Sequence, residues 1–427
     1  MTQAVLEYVA RKSRAARITI AEGGSYRGIH DTGMWAISQN GVRVDARTFD
    51  WGAREFAGWG GTLSGMLRDF AAEFPGKNFG YVDFDYDASR DAAGKPRYIE
   101  APKTARGIGS SANRTEYCVS KTIRNCDFLI NLPVMKVHSD SVGITACIKN
   151  YVGTAPREVY APEWRFSNRI LHDTYSVEGR VDPWVVDLVS FHPPDYNVVD
   201  GIRGLQYANH NNNKSDQMLR NNVVLAGEDP LAVDSTVAEV MGYTPSDLEF
   251  LHLSVAREIG TMEPGMIDVA GDDPVRVMRR WGKSPNWHGR CNREWRVTGA
   301  NSSPMAAWQR YTAPTDTLHL AKATGGPAAG ASYGAAFRVN AEGNRKAFLW
   351  AGIQGRCTLE LNGQRVTAME NAAAFRVGQF KVPVELRPGE NLLNFRIEAI
   401  AAPPQLAVLL VGPRNDGDSV DGIRYSA

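Results

Sequence analysis

The chain has 427 residues, with 48 basic against 47 acidic side chains and a formal net charge of +1. Neither sign forms a long run, which excludes the electrostatic footprint of a nucleic-acid or membrane-surface binder and leaves a small molecule or a glycan as the partner class. The length exceeds what one hydrophobic core usually supports, so two domains are expected.

The five cysteines, Cys118, Cys126, Cys147, Cys291 and Cys357, contain no CxxC pair, which argues against a disulfide scaffold, a zinc ribbon or an iron–sulfur cluster. No apolar run reaches the ~20 residues of a membrane span, and Met1 is not followed by a basic region and a signal core. The sequence therefore reads as soluble, with no signal peptide in this chain and its compartment open.

In chain order, Thr2 to Lys12 reads as a helix, 16–21 (ARITIA) as a strand, 35–40 as part of a helix, 42–45 as a short strand and 63–74 as an amphipathic helix. This alternation predicts an α/β domain, a mostly parallel sheet with crossover helices. Glu22 leaves the first strand just before Gly23-Gly24-Ser25, where turn amides could face a ligand; alone, it reads as a turn acid. Asp83, Asp85 and Asp87 share one face if extended, either an oxygen-rich cation site or a solvated edge.

The stretch 125–153 carries the densest signal. Apolar residues at 128–130 and 132–135 predict a central strand covered on both faces, ending in Lys136 and His138. Spaced i and i+2, these two converge on one point at a strand end, where α/β sites lie. Ser139 or Ser141 can cap a following helix on which Thr145 and Lys149 share a face. Asn131, Thr145 and Asn150 join the pocket as substrate-binding groups. The alternatives are a solvated strand terminator at Lys136 and a structural donor at His138.

Further on, 196–199 reads as a buried strand ending at Asp200-Gly201. Asp229-Pro230 caps a helix over 231–241 stopped by Gly242, and 244–247 starts another closed by Gly260. Asp234, on the buried helix, calls for a cationic or metal partner. His172, His192 and His210 are available to join His138 from loops.

From about residue 272 the pattern changes. The stretch 281–310 sets Trp281, Trp287, Trp295 and Trp308 among Gly, Pro, Ser and Arg, and reads as an ordered linker that packs across both domains. Beyond 311, short alternating segments at 335–339, 346–351, 358–361, 379–386, 391–397 and 406–410, with turns at Asn362-Gly363 and Pro388-Gly389, predict an antiparallel β-sandwich. The tail resembles jelly-roll modules attached to carbohydrate-active proteins. Trp350 and Phe348 are candidates for sugar stacking, with core packing as the default.

The strings NCDFLINLPVMKVHSDSVGITACIKNYVG, PDYNVVDGIRGLQ and VVLAGEDPLAVDSTVAEVMGYTPSDLEFLHLSVAREIG resemble signature blocks of the family catalogued as domain of unknown function 362, over roughly 18–260. The Lys-x-His pattern with a later glycine and lysine is also similar to a segment of lactate racemase-like proteins. That group includes enzymes that move hydride at a hydroxy-acid carbon with a nickel-pincer nucleotide, a cofactor not carried over here. The unknown-function family opens with a strand bearing Lys-x-Asn, whereas Met1 here falls directly on the first helix. The difference reads as a missing upstream segment or a sheet built without that strand.

The resulting expectation is an α/β domain over 1–280, a linker over 281–310 and a jelly-roll-like β-sandwich over 311–427. The first domain reads as an enzyme for a small anionic or polyhydroxylated substrate, a hydroxy acid or sugar derivative. Lys136, His138 and Lys149 are the catalytic candidates; Glu22, Asn131, Thr145, Asn150, Asp200 and Asp234 are the binding candidates. A divalent metal on His138 is admitted, and no other cofactor is specified. The alternatives are a non-catalytic ligand- or glycan-binding protein, and a structural protein whose tryptophans over 281–308 make homo-oligomer contacts.

Overall fold

The computed structural model describes residues 1–23, 27–30, 33–37, 43–45, 63–112, 114–138, 142–160, 182–207, 217–285, 287–299, 307–327 and 332–427. The chain divides into two compact units: Met1–Pro245 with Phe250–Ser284, and Ser246–Glu249 with Pro285–Ala427. Among the described residues no helix is long and apolar enough to cross a membrane.

The first unit opens with α1 (Thr2–Lys12) and β1 (Arg17–Glu22), followed by a small antiparallel sheet of β2 (Arg27–His30), β3 (Gly33–Ile37) and β4 (Arg43–Asp45). Then come α2 (Leu63–Glu73) and β5 (Asn78–Asp83), which runs parallel to β1 in register from Arg17↔Asn78 to Glu22↔Asp83. In α2, Leu63, Met66, Leu67 and Phe70 fall on one helical stripe, and in α1 Leu6 and Ala10 do the same. These buried faces pack with Ile18 and Ile20 of β1 and Phe79 and Tyr81 of β5, alternate residues that share one side of each strand. The helix expected over 35–40 is corrected at 35–37, which lie in β3; the remainder lies outside the described residues.

Next in order are β6 (Ile99–Glu100), β7 (Glu116–Tyr117), α3 (Lys121–Asn125), β8 (Ile130–Asn131), β9 (Lys136–Val137), β10 (Ile144–Thr145), α4 (Arg157–Tyr160), α5 (Asp182–Ser190), β11 (Tyr196–Leu205), β12 (Met218–Gly227), α6 (Pro230–Val240), α7 (Glu249–Ala256) and α8 (Pro274–Val277). The sheet β12-β11-β8 is mixed: β11 pairs antiparallel with β12 and parallel with β8. The unit thus mixes helices with parallel and antiparallel strand pairs. Asp229 caps α6 as its sequence suggested, accepting from the amides of Leu231 at 2.8 Å and Ala232 at 3.0 Å.

Two strand expectations here need correction. The segment 128–135 is not one central strand. β8 covers two residues of it, Phe128 is 61 % exposed and Val134 38 % exposed. Pro133 has no amide to donate, so the ladder breaks and resumes as a single bridge: Asp200 N donates to Pro133 O at 2.8 Å and Met135 N to Asp200 O at 3.0 Å. Conversely, β11 does not end at Asp200 but continues to Leu205 through a register shift between Gly201 and Arg203.

The second unit holds β13 (Glu294–Thr298), β14 (Gln309–Thr312), β15 (Leu318–His319), α9 (Leu320–Ala323), β16 (Ser332–Ala341), β17 (Arg345–Leu361), β18 (Gln364–Asn371), β19 (Phe380–Leu386), β20 (Gly389–Glu398), β21 (Gln405–Val411) and β22 (Ile423–Ser426). They form one large antiparallel sheet in the order β14-β13-β16-β20-β17-β21-β15, with β18 and β19 also on β17 and β22 on β16. The segments expected separately at 346–351 and 358–361 are one long strand that serves two arms. Its first half pairs with β19 and β21, its second with β18 and β20. The change of arm falls at Gly355, where φ is +123° and a Cβ would stand 2.5 Å from the Glu398 carbonyl oxygen, so a side chain is excluded. Trp295, Phe337 and Phe395 from one arm meet Leu349, Ile353 and Leu410 from the other in a single core.

The stretch expected as a linker supplies β13 to this sheet. Its tryptophans are interior: Trp281, Trp287, Trp295 and Trp308 are all buried, so they offer no apolar surface for oligomer contacts. Trp350 is likewise buried in a satellite cluster against which Phe348 packs. Its indole donates to Asn415 Oδ1 at 2.6 Å and its ring lies under the Lys381 ammonium, 3.7 Å from the centroid. That face is covered and does not present a sugar platform.

Candidate functional site

Within the first unit, several of the polar residues singled out in the sequence lie on the hairpin of β9 and β10 or interact with it and the turn that follows. Lys136 stands opposite Thr145 and Val137 opposite Ile144, and the turn is closed by the His138 amide donating to Gly143 O at 2.8 Å. Residues 142–149 are buried without a break. Thr145 and Lys149 do not share a helix: Thr145 is in β10, and Lys149, 7 % exposed, opens a 3-10 turn over Lys149–Thr154. Ser139 and Ser141, the proposed caps, lie outside the described residues, as do His172 and His210.

Close backbone approaches bring the pieces together. A Cβ on Gly23 would overlap the Gly153 carbonyl and lie 2.7 Å from its Cα, so the end of β1 reaches the turn that begins with Lys149 only because the residue after Glu22 is glycine. On the other side, a Cβ on Gly201 would lie 2.7 Å from Val223 Cγ2 and overlap Met135 Sδ, and one on Gly204 would overlap the Met135 carbonyl. These glycines of β11 let the strand carrying Lys136 cross it at contact distance, a role that glycine inside a strand often marks.

The Lys136 side chain is partly exposed by surface area, yet surrounded closely enough that burial lowers its pKa below the ordinary lysine value, and electrostatic attraction to Glu22 opposes that shift. Glu22 and Lys136, 114 positions apart by their numbering, therefore act on one another at the strand ends. An amine so placed can hold an anion when protonated and take a proton when neutral.

The supporting acids differ from expectation. Asp234 is fully buried, and its partners are main-chain amides rather than a lysine: it accepts from Cys147 N at 2.6 Å and Ile148 N at 2.9 Å. Burial pushes its carboxyl up to about 7, against the pull of those hydrogen bonds. It clamps the chain immediately before Lys149 and is a positioning residue. Asp200 accepts from the Ile202 amide at 3.0 Å, closing a local turn on β11. Asp83, Asp85 and Asp87 are not extended: residues 84–86 form a 3-10 turn, and Asp87 accepts from Ser120 Oγ at 2.5 Å and Thr122 N at 2.9 Å at the start of α3.

Asn131 forms a chain of amides. It donates to Cys147 O at 3.0 Å and to Asn197 Oδ1 at 3.1 Å, and accepts from Asn150 Nδ2 at 2.8 Å. Asn197, opposite Asn131 in the β8–β11 register, donates on to Gly227 O at 3.2 Å. The sequence reading passed over Asn197, although an asparagine inside the apolar run at 196–199 is a buried polar group that needs partners.

His138 follows β9 and is partly buried. Among the described residues it does not gather two further His, Cys or carboxylate ligands. His192 lies instead with Cys126 Sγ and Asp195 Oδ2, each 3.7 Å from its Nε2.

Residues 88–239 match the family described as Domain of unknown function (DUF362). The DUF362 span includes Asn131, Lys136, His138, Thr145, Lys149, Asn150, Asp200 and Asp234, whereas Glu22 lies outside it. The likeness to lactate racemase-like proteins finds no support in this match. No curated protein matches the chain. Among solved structures, a family 35 carbohydrate binding module from an environmental isolate is similar at 14% identity, covering 22% of this chain and 70% of that one, with a TM-score of 0.17. A glycosyl hydrolase family 2 member from Bacteroides cellulosilyticus DSM 14838 shares 14% identity over 28% of this chain, TM-score 0.21, and the overlap spans only 20% of the hydrolase. A PA14 sugar-binding domain from an RTX adhesin shares 11% identity over 29% of this chain and 67% of that one, TM-score 0.17. Overlap at this level establishes neither a common fold nor a common ligand.

Proposed function

We propose that the first unit is an enzyme acting on a small anionic or polyhydroxylated substrate, a hydroxy acid or sugar derivative, at the strand ends that carry Glu22 and Lys136. The observation that carries this reading is the Lys136 amine, lowered in pKa by burial and countered by Glu22. A lysine whose pKa is lowered by burial gives up its proton more readily than a solvated one, which suits it to exchange a proton with a substrate or to hold the resulting anion. Lys149 adds cationic character from the turn, Thr145 a hydroxyl directly across from Lys136, and Asn150 an amide fixed through Asn131. His138 serves as general base or as ligand to a divalent metal. Glu22 ends β1 in its parallel pair with β5, and strand ends of parallel pairs are where α/β sites form. The second unit, read as a jelly-roll-like module, holds a glycan.

The test is a ligand panel of lactate, gluconate and sugar phosphates, followed by thermal shift and proton NMR of the wild type, Lys136→Gln and Glu22→Gln. Stabilisation by a member of the panel in the wild type, lost in Lys136→Gln with the unliganded melting temperature kept, supports the reading. Exchange of the ligand's carbon-bound proton for deuterium in the wild type separates catalysis from plain capture. Equal stabilisation in wild type and Lys136→Gln places the ligand elsewhere.

A further inference from the structure

A second cluster of metal-competent side chains lies in the second unit, away in sequence from every candidate site residue of the first. His288, Cys291 and Asp316 each offer one ligand atom, and these atoms all lie within 4.8 Å of one another. Bonds of about 2.0–2.3 Å around a tetrahedral zinc separate ligands by roughly 3.3–3.8 Å, so closing on an ion takes only about an ångström of side-chain movement. Cys291 and Asp316 are buried and His288 is partly exposed, leaving one side for an ion to enter.

Cys291 also packs in a small apolar cluster with Trp350, Ala407, Leu409 and Val411, and by itself it would be an ordinary core thiol. The histidine and the carboxylate beside it change that reading, because neither belongs next to a core cysteine for packing alone. Their orientation is also set. His288 Nδ1 lies 2.8 Å from the Gly289 carbonyl, a partner that can only accept, so Nδ1 carries the proton and Nε2 keeps its lone pair. Asp316 Oδ1 accepts from Arg293 Nε at 3.2 Å and Nη2 at 3.0 Å, the kind of outer partner that orients a ligating carboxylate. Arg293 and Arg290 are in turn paired with Glu249, at 2.8 and 2.6 Å, so the arginine charge next to the cluster is offset by Glu249 and Asp316.

The loops that carry the ligands are fixed by main-chain hydrogen bonds. Gly289 N donates to Gly417 O at 3.1 Å, Asn292 N to Val408 O at 2.7 Å, and Ala313 N to Arg293 O at 2.8 Å. The last bond joins the two ligand-bearing loops, one leading into β13, next to one end of the sheet order, and the other into β15, at the other end.

We propose that His288, Cys291 and Asp316 bind one divalent transition-metal ion of the zinc class, with solvent in the fourth position. Binding deprotonates the Cys291 thiol, releases that proton to solvent, and ties the entry of β13 to that of β15.

The whole chain, freed of metal with chelator, is titrated with Co2+ and then Zn2+. One equivalent of Co2+ should give a thiolate-to-cobalt absorption band that Zn2+ abolishes. The band should vanish in Cys291→Ala, affinity should fall by more than about 100-fold in His288→Ala, and both should persist in His138→Ala. His288 is partly exposed, so its variant keeps the fold and decides the matter even if Cys291→Ala unfolds. Absence of the band in the wild type, or its retention at full strength in His288→Ala, overturns the proposal.

Discussion

Asp234 gives the most quantitative test, because one carboxyl both holds a turn and carries a displaced pKa. Its folded pKa is raised by burial to about 7 from the ordinary 3.8. A group that binds its proton more tightly when folded adds stability that is complete below the unfolded pKa and is lost as pH rises through the folded one. Here the window runs from about pH 4 to about pH 7, and roughly three pH units at about 1.4 kcal/mol each give a loss of about 4 kcal/mol across it. Asp234→Asn removes the proton but keeps an acceptor. The unfolding free energy of the wild type relative to Asp234→Asn should therefore fall by up to about 4 kcal/mol between pH 4 and pH 8. Asp234→Ala leaves the buried amides of Cys147 and Ile148 without their acceptor, at about 1–3 kcal/mol each. Urea unfolding as a function of pH reads the first effect; hydrogen exchange of peptides covering 145–154 reads the second, as faster exchange confined to the turn that carries Lys149. A wild-type-minus-Asn difference that stays flat with pH would show that the two amides keep Asp234 ionised throughout, and the argument from burial would fail.

Three further outcomes follow from close contacts. Gly23→Ala should push the end of β1 off Gly153, cost more than about 2 kcal/mol in thermal unfolding, and abolish ligand stabilisation; an unchanged melting temperature would mean that the approach is not tight. Asn197→Ala leaves Asn131 Nδ2 with Cys147 O as its acceptor, removes a donor from the Gly227 carbonyl, and should cost about 1–2 kcal/mol, read by urea unfolding, whereas a neutral effect would show that the freed groups find other partners. Asp187 accepts from Ser110 Oγ, from Ser111 N at 2.8 Å and from Tyr117 OH at 2.8 Å, and faces the buried Arg257 Nε at 3.5 Å. Asp187→Ala should cost about 3–5 kcal/mol by leaving that guanidinium uncompensated, and a loss under about 1 kcal/mol in calorimetry would contradict the pairing.

Local chemistry was legible in the sequence wherever it was self-contained. The Asp229-Pro230 cap, the apolar stripe of α2 and the alternation in β19 and β20 each follow from a few neighbouring residues, and the structure bears them out. The sequence also flagged Lys136 and Glu22 separately, and the structure brings them into electrostatic reach. What failed depended on distant partners. The run at 128–135 looks like a central strand by composition, but Pro133 breaks its ladder and Phe128 is left at the surface. Asp234 called for a cationic or metal partner because a buried carboxylate needs compensation, and the donors are amides 86 and 87 positions earlier. Gly201 and Gly204 carried a readable signal, small residues inside a strand, whose meaning required knowing that Met135 crosses there. The His288, Cys291 and Asp316 cluster was invisible because its third member comes from a loop beyond β14.

The account rests on the electrostatic state of Lys136, and the most direct measurement is the pH titration of its side-chain amine by NMR after isotopic dimethylation, assigned with Lys136→Arg, in the wild type and in Glu22→Gln. The account predicts titration below the ordinary lysine range in the wild type and a further fall when Glu22 loses its charge. An amine that titrates at the ordinary value and is unmoved by Glu22→Gln would mean that Lys136 is a solvated strand terminator, and the proposed site would lose its basis.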